Sequence, residues 1–332
     1  MSESVLRLVM SSWARWRRAI QLTGIILLVW ILSQLDLGHV ATTLMATDMG
    51  YLALYVALFI TAMVLRAMRL RWIVMRQGYG LGLGSAYKIT VEASLLGSVT
   101  PARAGEVTKV FALSHLGVPA GLGLAAVVLE RAFDLLVFAT LAVGGVLYFA
   151  GIFPQAMHAL MYLAGALAAA GLSLYIFRGV ASGAITRFLA WLADKWTGAR
   201  AFLDGGHLKN GLRILSDTWG VMFAYSCLVG AFGLIEAYCL ANALSIKVDF
   251  VHLIFSYSVA SLVALLPVSF NGLGTREATY VYLLGLATVK PESATLFSLL
   301  DGIVLPLVII AILSIPVWKH AGRLIAAGRY VK

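Results

Sequence analysis

Long apolar stretches separated by short polar segments make up most of the chain. Several of them approach or exceed the roughly 20 residues that an α-helix needs to cross a bilayer. The pattern therefore predicts an all-α polytopic membrane protein with about six full spans. The predicted spans are residues 20–35, 50–66, 121–150, 156–177, 217–242 and 294–317.

Two further apolar stretches are interrupted in the middle. Residues 86–100 and 107–118 flank "TPARAGE", while residues 250–268 and 276–290 flank "LPVSFNGLGTRE". Neither half of the first pair is long enough to cross a bilayer, and proline and glycine mark both breaks. Short half-helices of this kind predict two re-entrant helical hairpins, each entering and leaving on one side of the membrane.

Basic residues indicate the orientation of the predicted spans. Arginines precede the first span and follow the second, whereas the loop "DLGHVATTLMATDMG" between them has no Lys or Arg. Because basic loops stay in the cytoplasm, we expect both termini there and the two hairpins to enter from opposite sides. The single transmembrane domain, 1–332, then divides into a first half (about 50–150), a cytoplasmic linker (about 178–213) and a second half (about 217–318).

The two halves share a spacing of proline and acidic residues. Glu106 precedes Pro119 by 13 residues, and Glu277 precedes Pro291 by 14. An acidic residue follows each proline within an apolar run, after 11 residues in the first half and 10 in the second. Together with the opposite hairpins, this spacing predicts an inverted-topology repeat, an architecture typical of transporters whose substrate sites lie near the membrane midplane.

Composition agrees with a membrane protein. Hydrophobic residues make up 61% of the chain and charged residues 12%, about half the share of an average soluble protein. The formal net charge is +10, but the basic residues lie beside the predicted spans, where they set topology and attract anionic lipid headgroups. Nucleic acid is therefore not an expected partner.

Charged side chains at the two breaks are the candidate functional residues, since an ionisable group inside the bilayer is usually paired or lines an aqueous path. Thr100 as N-cap and Pro101 as first helical residue would expose backbone N–H groups beside Arg103, a site suited to phosphate. Thr275 is expected to cap the helix after the second break. The candidates are Pro101, Arg103, Gly105, Glu106, Lys109, Glu130, Arg131 and Asp134 in the first half, and Asn271, Gly272, Gly274, Arg276, Glu277 and Asp301 in the second.

Helical spacing predicts some partners within this set. Glu130 and Asp134 share one helical face, and Glu106 lies three residues from both Arg103 and Lys109, so it can pair with either. The alternative is that these charges are structural ion pairs that hold helices together. Glu92 and Glu236 are weaker candidates. The remaining basic cluster is interpreted as a set of topology anchors, with headgroup binding as the alternative: Arg66, Arg69 and Arg71.

Soluble-type catalytic motifs are absent from the sequence. "GYGLGLGS" follows no predicted strand, the six histidines lack metal-ligand spacing, and no nucleophile elbow or H-E-x-x-H motif occurs. We therefore expect no catalytic residues, no metal, no cofactor and no enzymatic activity.

Four segments carry a family resemblance, namely "LRAMRLRWIVMRQG", "LLGSVTPARAGEVTKVFALSHLGV", "VVLERAFDLLVF" and "LLPVSFNGLGTREA". They resemble, in order, the membrane domain of the lysylphosphatidylglycerol synthase/flippase family. In that family the best-known members join this domain to a soluble aminoacyltransferase domain. The present chain lacks that domain, so the resemblance implies lipid translocation and not lysyl transfer. It also implies a bacterial inner-membrane location.

The leading hypothesis is a flippase or scramblase for a phosphate-bearing lipid, anionic or zwitterionic, whose headgroup passes between the two hairpins. Arg103 and Arg276 would contact the phosphate, and the carboxylates would balance the arginines. Two alternatives remain open: an ion-coupled transporter of a small soluble anion, and a non-transporting membrane partner of a lipid-modifying enzyme. The membrane lipid is the expected substrate, a lipid-biosynthetic enzyme is a candidate partner, and an oligomer is not excluded.

Overall fold

A computed structural model describes residues 37–98, 105–149, 219–264 and 272–326, together with Ser33 and Thr100. Within these residues every regular element is helical, which confirms the predicted all-α membrane protein. The elements are α1 (Leu37–Met45), α2 (Met49–Arg76), α3 (Leu83–Ser98), α4 (Thr108–His115), α5 (Ala120–Phe149), α6 (Trp219–Ala243), α7 (Phe250–Ala264), α8 (Thr275–Gly285), α9 (Pro291–Leu299), a π-helical segment (Leu300–Val304) and α10 (Leu305–Ala326).

The described elements occur twice in the same order. A long helix (α2 or α6) is followed by a broken pair (α3 and α4, or α7 and α8) and then by another long helix (α5, or α9 continued by α10). Both interruptions lie where the sequence predicts them. Among the described residues, three helical stretches are long and apolar enough to cross a membrane: Met49–Arg76, Trp219–Ala243 and Pro291–Ile315. The predicted spans at 20–35 and 156–177 and the linker at 178–213 lie outside the described residues.

Two helix boundaries differ from the prediction. The segment predicted as a loop after the first span contains α1, which packs against α9. Asp48 follows α1 and is the N-cap of α2. Its Oδ1 accepts hydrogen bonds from the backbone N–H of Gly50 at 2.7 Å and of Tyr51 at 3.3 Å. Helix α2 continues ten residues beyond the predicted end at 66, because arginine and leucine are good helix formers.

Helices α2 and α6 form an antiparallel pair at the centre of the described structure. The backbone N–H of Asp48 donates to the carbonyl of Ala243 at 2.9 Å, so the start of α2 adjoins the end of α6. Residues of five other helices pack around this pair, among them Tyr280 on α8 and Phe297 on α9. These two residues are almost completely buried, as are Tyr55 and Leu240 of the pair itself. Since lipid is as apolar as these side chains, close packing rather than escape from water holds the helices together.

Each broken pair packs against the long helix of the other half. Helix α7 contacts α5, and α3 contacts α10. The first of these contacts depends on Gly145, because a Cβ there would overlap the ring of Phe255. The cross-packing joins the two halves around α2 and α6.

Two glycines shape the second break. Gly272 has φ 82° and Gly274 has φ 81°, a left-handed conformation that costs other residues about 1–2 kcal/mol. A Cβ at Gly272 would also lie 2.6 Å from the Cβ of Ala264, at the end of α7. Glycine is therefore required here by the backbone conformation and by the closeness of the preceding helix.

Alanine at Gly272 is expected to lower the melting temperature of the purified protein by about 4–8 °C, because it adds backbone strain and a steric overlap. Gly285→Ala is the matched control, since nothing lies within 4 Å of a Cβ at that position. Thermal unfolding in detergent measures both variants. Equal melting temperatures for the two variants would contradict the strained geometry.

Candidate functional site

Six charged residues from α2, α4, α5 and the turn at 105–107 form a continuous set of ion pairs. Positive and negative side chains alternate along it, with three of each, so its formal charges cancel. We name this set the first charge cluster; in order of contact it contains Asp134, Arg69, Glu130, Lys109, Glu106 and Arg131.

Arg69 joins α2 to α5. Its Nη1 donates to Oδ1 of Asp134 at 2.6 Å, and its Nε donates to Oε1 of Glu130 at 3.3 Å. The same Nη1 also donates to the hydroxyl of Ser226 on α6 at 2.8 Å. Only 3% of Arg69 is exposed, although it lies seven residues, or about 10 Å, inside the end of α2. Three long helices therefore meet at one buried guanidinium.

Lys109 extends the cluster to the first break. Its Nζ lies 2.7 Å from Oε2 of Glu130 and 3.6 Å from Oε2 of Glu106. Glu106 in turn forms an ion pair with Arg131. The predicted pairing of Glu106 with Lys109 is confirmed. Glu130 and Asp134, predicted to share a helical face, both contact Arg69.

The cluster is buried at its centre and more open at its ends. The side chains of Arg69, Lys109 and Glu130 are 2–6% exposed, whereas those of Asp134 and Arg131 are 19% and 26% exposed. Buried charges are costly unless each is paired, so loss of one member leaves an uncompensated charge. The more exposed ends are where an external charged group can reach the cluster.

Gly105 and Thr100 shape the chain beside this cluster. The Thr100 hydroxyl donates to the carbonyl of Leu96 at 2.8 Å and accepts a hydrogen bond from the backbone N–H of Gly105 at 2.7 Å. A Cβ at Gly105 would overlap the backbone of Leu96. Within the described residues, α4 begins at Thr108 after a 3₁₀ turn at 105–107, later than the predicted start near Pro101. The hydrogen bond between Thr100 and Gly105 favours the 3₁₀ turn at 105–107 over α-helix at these three residues.

A smaller set lies beside the second break. Arg276 at the start of α8 forms an ion pair with Asp301 in the π-helical segment. The guanidinium lies over the ring of Tyr280, 5.6 Å from its centroid, and fills the space beside Gly302. A π turn widens a helix locally and is frequent at functional sites. We name Arg276, Tyr280 and Asp301 the second charge cluster.

Glu277 has a different position from the one predicted for it. Its Oε2 accepts a hydrogen bond from the backbone N–H of Gly274 at 2.5 Å, and its Oε1 accepts one from the Ser298 hydroxyl at 3.1 Å. It is completely buried and forms no ion pair with Arg276. Gly274 is the N-cap, while the predicted cap, Thr275, donates its hydroxyl to the carbonyl of Gly272. Glu277 thus caps α8 and ties it to α9.

Three predicted site residues lie outside the described residues, namely Pro101, Arg103 and Asn271. The predicted pairing of Arg103 with Glu106 and the phosphate site at Pro101 therefore stay predictions. All other predicted members lie in or directly beside the two charge clusters.

Arg69 of the first charge cluster and its hydrogen-bond partner Ser226 were not among the predicted site residues. The sequence interpretation grouped Arg69 with the topology anchors because the predicted span ended at 66. Its neighbour Arg71 fits that interpretation better, since it is exposed and donates to the carbonyl of Leu81 at 3.1 Å. Continuing the helix through the arginines would have placed Arg66 and Arg69 on one inward face.

Comparison with known proteins gives one family. The model of the family described as "Lysylphosphatidylglycerol synthase TM region" matches residues 5–313, nearly the whole chain. A comparison with curated proteins gives no match. The matched residues include both breaks and every member of the two charge clusters. The chain therefore belongs to the family of the lysylphosphatidylglycerol synthase transmembrane region.

Proposed function

We propose that this protein is a non-enzymatic flippase or scramblase that moves a phosphate-bearing lipid between the leaflets of the bacterial inner membrane. The observation that carries the proposal is the pair of buried charge clusters, one beside each broken helix pair. Buried charge in a membrane domain has a structural cost, and its position at helix breaks is typical of transporter substrate sites. The family membership supports a lipid-related function.

We also propose that the two halves form an inverted repeat, which fits transport of this kind. The cross-packing of α7 on α5 and of α3 on α10 is the pattern expected if a two-fold axis relates the halves. The distribution of basic residues favours opposite orientations of the halves and places both termini in the cytoplasm. The two breaks would then face opposite leaflets, so that a headgroup leaving one cluster approaches the other.

The geometry favours exchange of ion-pair partners as the way in which a headgroup is handled. At Arg131, a phosphate would replace the carboxylate of Glu106, and arginine binds phosphate through two parallel hydrogen bonds. Lys109 lies 3.6 Å from Glu106, so it would stabilise the displaced carboxylate. The acyl chains would remain in the bilayer while the headgroup passes. The lipid gradient or an ion gradient would supply the driving force.

Reconstituted vesicles test the proposal. With fluorescent phosphatidylglycerol in both leaflets and a membrane-impermeant quencher outside, the wild-type protein is expected to accelerate loss of the inner-leaflet signal. Arg131→Gln is expected to slow this exchange at least about tenfold, because it removes the partly exposed phosphate-binding cation. Arg76→Gln is the matched control, since Arg76 is exposed and stacks on Trp72 outside both clusters.

Other outcomes would favour the alternatives. Uptake of a soluble phosphodiester without lipid exchange would identify a small-anion transporter and overturn the proposal. Absence of both activities would favour a non-transporting partner of a lipid-modifying enzyme. Equal exchange rates for Arg131→Gln and the wild type would exclude the proposed role of the first charge cluster.

A further inference from the structure

Glu236 is a buried carboxylate that belongs to neither charge cluster. It lies on α6, ten residues after Ser226, which corresponds to about 15 Å along the helix. Only 6% of the residue is exposed, and its Oε1 has no hydrogen-bond donor. Within the described residues it also forms no ion pair, unlike the carboxylates of both clusters. An ion pair that holds two helices together therefore does not explain why this carboxylate is buried.

Several polar groups surround Glu236. The charges that act on it are the guanidinium of Arg66 on α2 and the carboxylate of Asp301 in the π-helical segment. The hydroxyl of Tyr257 on α7 lies against Gly233, one turn earlier on α6. The elements around it carry further titratable and charged groups. On α2, α5 and α6 these are Tyr55, Arg66 and Arg69, then Glu130 and Asp134 at the level of Ser226, and Cys239. On α7, α8 and the π-helical segment they are Tyr257, Arg276, Tyr280 and Asp301.

Arg66 is the other unpaired charge of this region. It is half-buried, one turn before Arg69, and makes no hydrogen bond or ion pair with any described residue. It acts electrostatically on Asp134 of the first cluster and on Glu236. Lys109 and Arg276 are by contrast bound to carboxylates. Arg66 is therefore within electrostatic reach of both the first cluster and Glu236, and its hydrogen-bonding capacity is unused.

We propose that Arg66 and Glu236 form a proton-linked phosphate site. A phosphate group binds Arg66, and Glu236 takes up a proton as the phosphate arrives. This inference rests on the proposed function, because it identifies the bound group as a lipid phosphodiester. It adds a coupling step that neither charge cluster provides.

The physical reason is charge compensation. An ionised carboxylate without hydrogen-bond donors is costly in a buried position, and Arg66 is the positive charge that lowers this cost without cancelling it. A phosphodiester at Arg66 neutralises that positive charge. The carboxylate then becomes stable only as the neutral acid: an O–H bond forms on Glu236, and the proton comes from hydronium or buffer. No electrons are transferred, and the anion and proton enter with no net charge.

Linkage makes the effect reciprocal. If phosphate binding drives proton uptake, a lower pH strengthens phosphate binding by the same free energy. For one linked proton, the affinity falls by up to about tenfold for each unit of pH between the range in which Glu236 titrates without phosphate and the higher range in which it titrates with phosphate bound, and it is constant outside that window. A proton gradient would then bias the direction of lipid movement.

Binding measurements on the purified full chain test the site. The protein is kept in maltoside micelles, because this detergent contains no phosphate that could compete with the probe. The probe is dioctanoyl phosphatidylglycerol. Dioctanoylglycerol is the control that lacks phosphate, and dimethyl phosphate is the soluble phosphodiester. Isothermal titration calorimetry in two buffers of different ionisation enthalpy counts the protons taken up. At an alkaline pH, at which Glu236 is ionised before the lipid binds, we expect uptake of up to about one proton with phosphatidylglycerol and none with dioctanoylglycerol.

Substituted variants identify the residue that takes up the proton. Glu236→Gln is expected to bind phosphatidylglycerol with no proton uptake and with an affinity that no longer depends on pH. Glu292→Gln is the matched control, since it makes the same chemical change in the first turn of α9 and should behave like the wild type. Arg66→Gln supplies a second test, with phosphatidylglycerol binding weakened at least about tenfold and proton uptake lost.

The outcomes separate this inference from the proposed function. If vesicles exchange lipid but phosphatidylglycerol binds without proton uptake, the inference is overturned and the proposed function stands. The same conclusion follows if vesicles exchange lipid and Glu236→Gln still takes up the proton. Failure of every phosphate probe to bind also overturns it. Proton-linked binding of dimethyl phosphate without binding of phosphatidylglycerol supports the phosphate site but overturns lipid as its ligand, and with it the proposed function.

Discussion

Replacement of Arg69 by glutamine is expected to lower the free energy of unfolding by about 3–5 kcal/mol, the usual cost of removing one partner from a buried ion pair. Arg69 offsets the charges of Asp134 and Glu130 and also donates to Ser226. Without it, three carboxylates of the first charge cluster face two cations. The excess negative charge lies where α2, α5 and α6 meet, so the loss affects the packing of both halves.

A denaturation series in detergent measures this effect. Arg71→Gln is the matched control on the same helix, because Arg71 is exposed and gives up only its bond to the carbonyl of Leu81, a change of about 1 kcal/mol. The double variant Arg69→Gln with Asp134→Asn restores the charge balance and should recover part of the stability. If Arg69→Gln and Arg71→Gln cost the same, the first charge cluster does not hold the helices together.

The sequence predicts both helix breaks because their causes are local. Proline at 101 and 267, glycines after each break, and half-helices too short to span are all visible within about 20 residues. The described helices end at Ser98 and Ala264 and begin again at Thr108 and Thr275, on either side of these prolines. Gly272 and Gly274 adopt the left-handed conformation that makes glycine useful at a break, and Gly105 lies where no Cβ fits.

The partners of the charges could be predicted only in part, because most of them are distant in sequence. Glu106 and Lys109 are three residues apart, and helical spacing was enough to pair them. Arg69 and Asp134 are 65 residues apart, and Arg276 and Asp301 are 25 apart. Such pairs depend on which helices pack together, and hydrophobic patterning does not determine that. Arg69 was therefore assigned to the membrane surface although it is buried.

Glu277 shows the same limit at short range. From sequence, its charge and its position beside Arg276 predicted a balancing role. In the structure its two oxygens bind Gly274 and Ser298, which satisfies the exposed start of α8 and links it to α9. A glutamate three residues after an N-cap is a known capping arrangement, so the local signal was present. The charge of Glu277 beside Arg276 favours an ion pair, whereas its spacing from Gly274 favours the cap that the structure shows.

Simultaneous neutralisation of Arg276 and Asp301 is expected to separate a structural role of the second charge cluster from a functional one. Arg276→Gln with Asp301→Asn removes both charges and leaves neither uncompensated, so the free energy of unfolding should change by no more than about 1–2 kcal/mol. Exchange of fluorescent phosphatidylglycerol in vesicles should nevertheless fall at least about tenfold, because the second cluster then offers no cation to a headgroup.

The matched control makes the same two chemical changes at exposed positions. Arg71→Gln with Asp249→Asn keeps the cap of α7, because asparagine also accepts the bond that the backbone N–H of Val251 donates to Asp249 at 2.9 Å. This variant should retain both stability and exchange. If the Arg276 and Asp301 variant also exchanges lipid at the wild-type rate, the pair only holds α8 against the π-helical segment. Loss of exchange in a protein of unchanged stability would instead place the second cluster on the path of the headgroup, since no structural defect would remain to explain it.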